Sequence, residues 1–209
     1  MARNTEPVCR LCRREGLKLF LKGQRCYTEK CAIERKQYAP GQHGQGRTKL
    51  SNFAVELREK QKVKRLYGLL ERQFRGTFFK AARTRGITGE AFLLYLEQRL
   101  DNMVYRMGFS SSRAEARQFV LHGHFFVNDK KVTIPSYRVH QGDRISLKER
   151  SRTIPRMQEA LEEIDRRGLP SWLELDKKNF IGTVKALPTR EELTLPMKEQ
   201  LIVEFYSKR

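Results

Sequence analysis

Carboxylates are what this sequence is short of: 24 Asp and Glu stand against 43 Lys and Arg, a net charge of +19 over 209 residues. So large an imbalance excludes a cationic partner and points to an anionic one. The shortage is uneven. Residues 1–50 carry +8, 51–98 carry +5, 99–150 carry +5, and 151–209 only +1. The first three quarters therefore face the polyanion, and the last quarter is freer to meet protein. Long apolar runs are also missing; the longest candidate, Ala91 to Leu96, is far short of the roughly 20 residues that cross a bilayer. The start, MARNTEPVCR, contains no apolar leader, so a cytosolic protein with no membrane role is expected. There is no internal repeat, no G-x-x-x-x-G-K-S/T phosphate loop and no Ser/His/Asp arrangement. Neither a small-molecule substrate nor an enzyme is expected. The chain is nonetheless long enough to bury a substantial core.

Cysteine is scarce but concentrated: all four fall in the first 31 residues, as Cys9-x2-Cys12-x13-Cys26-x4-Cys31. Two close pairs joined by a short arm suit a four-thiolate metal site, each pair wrapping one edge of the ion. Uncoordinated free thiols are the other reading, and disulfides are disfavoured in a reducing compartment. Zinc is the first choice, and an iron-sulfur cluster of the [4Fe-4S] kind is the alternative. Arg10, Arg13, Arg14, Lys18, Lys22 and Arg25 decorate this knuckle, so the metal would hold basic groups in place.

Tyr38 to Arg47 has three glycines and a proline in ten residues, which by composition reads as a linker. Ser51 or Asn52 then caps a predicted helix running to about Tyr67. Its Arg58, Lys60, Lys62, Lys64 and Arg65 outnumber Glu56 and Glu59, so its basic face is either solvated through i,i+4 pairs or a polyanion contact. The next helix carries the stripe Leu70, Phe74, Phe78 and Ala81 or Ala82. Gly76 inside it costs about 1 kcal/mol against alanine. Phe74, Phe78 and Phe79 could be stacking platforms for bases, but aromatics at helical spacing read first as core.

The stretch Arg99 to Leu147 organises the rest. Phe92, Leu96, Leu100, Met103 or Val104, and Met107 predict one helix up to Gly108. Ser112 and Glu115 form an S-x-x-E capping box, with the glutamate returning to the cap amide. The helix they open buries Ala116, Phe119 and Val120 and ends at Gly123. Arg113 and Arg117, four apart, share a predicted solvent face, where they would clamp phosphates. After the glycine the period changes. Phe125 to Val132 reads as a hairpin with Asn128-Asp129 at its tip, and Ile145 and Leu147 alternate as a strand after Gly142-Asp143.

Further on, Ile154, Met157, Leu161 and Ile164 mark another helix, with an acidic opposite side of Glu159, Glu162, Glu163 and Asp165. Gly168 and Pro170 end it, Leu173 and Leu175 alternate as a strand, and Trp172 is expected to pack on the central module. Thr189-x-x-Glu192 is a second capping box, and Leu201, Ile202 and Phe205 suggest a short terminal helix.

Arg99-Leu100-Asp101-Asn102, Ser112-Arg113-x-x-Ala116-Arg117, His122-Gly123-His124 and Val127-Asn128 resemble the RNA-binding module named after small-subunit ribosomal protein S-four. With the cysteine knuckle and Pro40-Gly41-Gln42-His43-Gly44, nearly the whole chain resembles that family. The resemblance implies an α+β fold: a mainly helical domain, an inserted helix-pair plus β-sheet module, and the metal knuckle. The corresponding division is 1–45 for the knuckle and glycine-rich loop, 46–98 with 184–209 for the helical domain, and 99–183 for the module. It implies a structural constituent of the small ribosomal subunit that binds 16S ribosomal RNA and nucleates assembly. Further implications are contact with neighbouring proteins S-five and S-three, an influence on translational accuracy, and repression of its own messenger RNA. It shifts the glycine-rich stretch toward RNA through Gly41, Gln42, His43, Gly44 and Arg47, and adds His122 and His124 to the expected contacts. A free-standing RNA-binding factor would need little beyond the module. A pseudouridine synthase is suggested by Arg99-Leu100-Asp101 but opposed by the following Asn102-Met103-Val104-Tyr105, and Asp101 is instead expected to cap or pair with an arginine.

Overall fold

The structure, a computed structural model, describes residues 6–46, 49–193 and 196–208. The chain divides into two compact units, 1–92 with 195–209, and 93–194. Residues 184–194, expected to return to the helical domain, thus belong with the central unit, because Ile181–Val184 is a strand inside its sheet.

The first unit contains α1 (Val8–Glu15), α2 (Ala32–Arg35), α3 (Asn52–Leu66), α4 (Glu71–Ala82), the start of α5 (Thr88–Glu97) and the terminal α9 (Glu199–Ser207). α3 starts where a hydroxyl is available: Ser51 Oγ accepts the Ala54 amide at 3.3 Å. Its core is aromatic. Phe92 meets Phe74 edge-on at 5.0 Å and Phe78 at 5.6 Å, and Phe78 lies 4.6 Å from Tyr206 of α9. Phe79 departs from its expected core role; it is 41% exposed at the edge of this cluster, its ring edge-on to Phe78 at 5.8 Å and 6.3 Å from Tyr206.

In the second unit, α6 (Leu100–Arg106) and α7 (Arg113–Leu121) pack together, followed by β1 (Phe125–Val127), β2 (Lys130–Lys131), β3 (Arg144–Leu147), α8 (Pro155–Arg167), β4 (Leu173–Asp176) and β5 (Ile181–Val184). The strands form one antiparallel sheet in the order β2-β1-β3-β5-β4. Leu100, Met103, Phe109, Val120, Phe125 and Ile145 fill its core, and Trp172 packs there as expected. The hairpin tip is also as expected. Asn128 and Asp129 have φ of 49° and 62°, the left-handed pair a two-residue turn requires and which Asn and Asp accept better than most residues. Asn128 is held further by its side chain, which donates to Asp143 at 2.8 Å and accepts the Arg144 amide at 3.0 Å.

Three expected features differ. The single helix through residues 92–107 is broken at Gln98-Arg99, because that dipeptide pairs with an extended segment: Val139 N donates to Gln98 O and Leu100 N to Tyr137 O, each at 2.9 Å. Glu115 of the capping box accepts from the Ser111 amide and hydroxyl, at 2.8 and 2.7 Å, one position before the cap, while Ser112 caps as expected. Thr189 and Glu192 do close on each other at 2.8 Å, yet they form a turn and no helix follows through Leu193.

Candidate nucleic-acid interface

The four cysteines come from different elements: Cys9 and Cys12 from α1, Cys26 from the 3₁₀ turn Gly23–Tyr27, and Cys31 from the cap of α2. All four are free thiols and line one cleft. Burial pushes the Cys12 thiol up, and the charges of Cys26, Cys9 and Cys31 push it the same way. No group of three or more His, Cys, Asp or Glu side chains among the described residues is gathered as a bound ion requires. The expected knuckle is thus present as a cleft of thiols, not as a preformed metal cage.

The basic groups around this cleft separate by what they touch. Arg10, Arg14, Lys22 and Arg25 are exposed. Arg13 is tied down: its Nε donates to Tyr38 O at 3.0 Å and its guanidinium lies 4.9 Å from the Tyr38 ring centre. It therefore anchors the start of the glycine-rich stretch. In that stretch Gln42 and His43 are exposed. Gly41 O accepts from the Gly44 amide at 3.2 Å, and a Cβ at Gly44 would stand 1.9 Å from Ala39 O. The glycine at 44 is thus required by the chain's own close approach. Arg47 lies outside the described residues.

On α3 the three expected contacts are all ion-paired, but none through the expected i,i+4 spacing. Arg58 and Arg65 both reach Glu15, whose side chain is 2% exposed, and Lys62 pairs with Glu59 at 2.7 Å. Burial raises the Glu15 carboxyl while Arg65 and Arg58 draw it back. Lys60 and Lys64 reach Glu71 at the start of α4, at 2.8 and 2.9 Å, and Tyr206 donates to the same carboxylate at 2.8 Å. Burial alone would raise Glu71, but these three hydrogen bonds prevail and lower it to about 2.

Arg113 and Arg117 require the largest correction. They do not face solvent; they are 8% and 7% exposed. Arg113 Nε donates to Asn102 Oδ1 at 2.8 Å and its guanidinium stacks 4.5 Å from the Tyr105 ring centre. Asn102 in turn donates to Glu97 Oε2 at 2.7 Å, and Glu97 also receives Arg106. Arg117 Nη1 reaches Asp101 Oδ2 at 3.3 Å, and Arg99 grips both oxygens of Asp101 at 3.0 and 2.7 Å. Asp101 is therefore arginine-paired, as expected, and the α7 arginines join a buried lattice linking α5, α6 and α7. Beyond the helix, His122 is exposed against Gln118 at 2.7 Å. His124 is within 2.8 Å of the Ser151 hydroxyl, and burial followed by the His122 and Lys148 charges lowers its pKa.

Also turned outward is a set that spacing arguments overlooked: Arg72, Arg75 and Lys80 on α4 and Arg83 at its C-cap, all exposed. Their signal was available. The Phe74, Phe78 and Ala81 stripe that buries one side of α4 puts these cations on the other.

Comparison with known proteins agrees along the chain. A family model for the ribosomal protein S4/S9 N-terminal domain matches residues 3–97, and one for the S4 domain matches 98–145. A small ribosomal subunit protein uS4 from Geotalea daltonii is 64% identical over 208 residues, covering 100% of both chains. Proteins of the same description from Geotalea uraniireducens and Anaeromyxobacter sp. (strain K) are 62% and 63% identical over the same full length.

Proposed function

Because the chain belongs to the small ribosomal subunit protein uS4 family, we propose that it is a structural constituent of the small ribosomal subunit and binds 16S ribosomal RNA in the cytoplasm. The observation that carries this is the end-to-end match at 64% identity; the net charge of +19 supports a polyanionic partner. In this reading the protein binds early, stabilises a junction of RNA helices and contacts S-five and S-three, with the nearly neutral last quarter available for protein. Its influence on decoding and repression of its own messenger RNA belong to the same reading. Catalysis is not part of it. The one carboxylate that resembles a synthase aspartate, Asp101, is buried and held by two arginines. The test is co-sedimentation: the protein stays with small subunits through a high-salt wash, and its complete release into the supernatant would contradict the proposal.

The cysteine cleft is part of the proposal. Four free thiols on one cleft, in a segment with little core of its own, suit zinc by donor chemistry, with a [4Fe-4S] cluster as the alternative. Cys9, Cys12, Cys26 and Cys31 would hold it. The group would supply a cross-link for residues 1–40 and no reaction. Elemental analysis of protein purified without chelator should find one zinc, or iron with sulfide, per chain. Cys26→Ser should abolish it and make residues 1–40 more protease-sensitive while the second unit stays folded. Finding neither metal in the unaltered protein would remove the idea.

A further inference from the structure

We infer that the outward face of α4 is a docking ridge for the sugar–phosphate backbone of folded RNA. The inference rests on the ribosomal reading above and goes further by assigning a surface to it. Arg72, Arg75, Gly76, Phe79, Lys80 and Arg83 fall within an arc of about 140° on the helix, and Arg72 to Arg83 spans roughly 16 Å of its axis. All six are exposed. None of the four cations pairs with a carboxylate among the described residues, whereas the one acid of α4, Glu71, is occupied by Lys60, Lys64 and Tyr206. Arg75 instead lies over the Phe79 ring, 5.3 Å from its centre.

Helix stability does not account for this face. Arg72 sits in the first turn, where the helix dipole disfavours a cation, and the one acid four residues from any of these arginines, Glu71 before Arg75, is paired with Lys60 and Lys64 instead. Gly76 is the second, independent observation. It weakens the helix interior against alanine, yet its backbone is not in the left-handed region, and a Cβ built on it meets nothing within 4 Å. Nothing among the described residues calls for a glycine there. A bare patch of backbone flanked by guanidiniums is what close approach by an external, anionic body calls for. Guanidiniums, with planar paired donors, match phosphate oxygens better than ammonium groups do. A single half-exposed phenylalanine offers too little apolar area for a protein anchor.

The experiment is a titration of a 16S ribosomal RNA transcript with the full chain across salt concentrations, comparing three proteins. They are the unaltered chain, Arg72→Ala/Arg75→Ala/Arg83→Ala, and a charge-matched control, Arg156→Ala/Arg166→Ala/Lys178→Ala. The α4 variant should lose roughly 30- to 1,000-fold in affinity and about 2 to 3 units of log-log salt slope, and the control less than about threefold. Gly76→Gln, which fills open space and improves the helix, should melt no lower than the unaltered chain yet bind RNA at least about tenfold more weakly. Independently of any variant, bound RNA should protect Arg72, Arg75 and Arg83 from phenylglyoxal modification. Equal affinity of the α4 variant and the control, as an acidic protein partner would produce, overturns the inference, as does equal phenylglyoxal modification with and without RNA. An unaltered chain that does not bind the transcript instead overturns the ribosomal reading itself.

Discussion

α7 and α4 carry arginines at similar helical spacing and use them in opposite ways. On α7, Arg113 and Arg117 turn inward to Asn102 and Asp101 and become part of the core's polar lattice. On α4, Arg72, Arg75 and Arg83 turn outward and meet no carboxylate among the described residues. The two helices differ in what faces them. α7 packs on α6, which presents an aspartate and an asparagine. α4 buries its opposite, phenylalanine-bearing side and leaves its cations to solvent. Charge spacing thus reports that residues share a face; the partner element decides whether that face is inside.

The comparison breaks most readily at Asp101. Asp101→Ala leaves Arg99 and Arg117 buried without a counter-charge, which should cost about 3 to 5 kcal/mol and lower the melting temperature by roughly 12 °C or more. A loss under about 1 kcal/mol would show that the α7 arginines do not depend on it and that the contrast with α4 is superficial. Calorimetry of the single variant decides this.

Gly76→Ala sharpens the other side. With open space at the new Cβ, it should stabilise the first unit by up to about 1 kcal/mol. Destabilisation in a urea melt would mean that the outward face of α4 is engaged within the molecule after all.

The smallest effect concerns Glu71, the inward acid of α4. Its folded pKa of about 2 lies below the ordinary value of 4.5. Its contribution is therefore fully present above pH 4.5 and lost as pH falls toward 2. The side chain is 44% exposed, so after solvent screening the contribution is about 1 kcal/mol or less. Glu71→Gln should flatten the acid limb of the stability–pH curve by that amount and leave neutral-pH RNA affinity unchanged. A loss of affinity would place Glu71, and not the arginines, in control of the RNA-facing side.

Local features were legible in the sequence because their causes are local. The Ser51 and Ser112 caps, the Asn128-Asp129 turn and the Met157, Leu161 and Ile164 stripe each depend on residues within a few positions. The features that escaped depend on distant partners. The helix break at Gln98-Arg99 is made by Tyr137 and Val139, and the fate of Arg117 by Asp101, 16 positions earlier. The pairing of Asp101 was legible, since a buried aspartate near several arginines has few other options, but which arginines it would draw inward was not. Arg58, Lys62 and Arg65 divide the same way. Lys62 finds Glu59 three residues off, whereas the other two find Glu15, far back in the chain.

The central claim is that the α7 arginines hold the fold and the α4 arginines do not. Parallel urea denaturation of the full chain as Arg113→Ala/Arg117→Ala and as Arg72→Ala/Arg75→Ala/Arg83→Ala tests it most directly. The α7 pair should lose about 2 to 4 kcal/mol, and the α4 triple should stay within about 0.5 kcal/mol of the unaltered protein. An unchanged midpoint for the α7 pair, or an equal fall for both, would contradict the account.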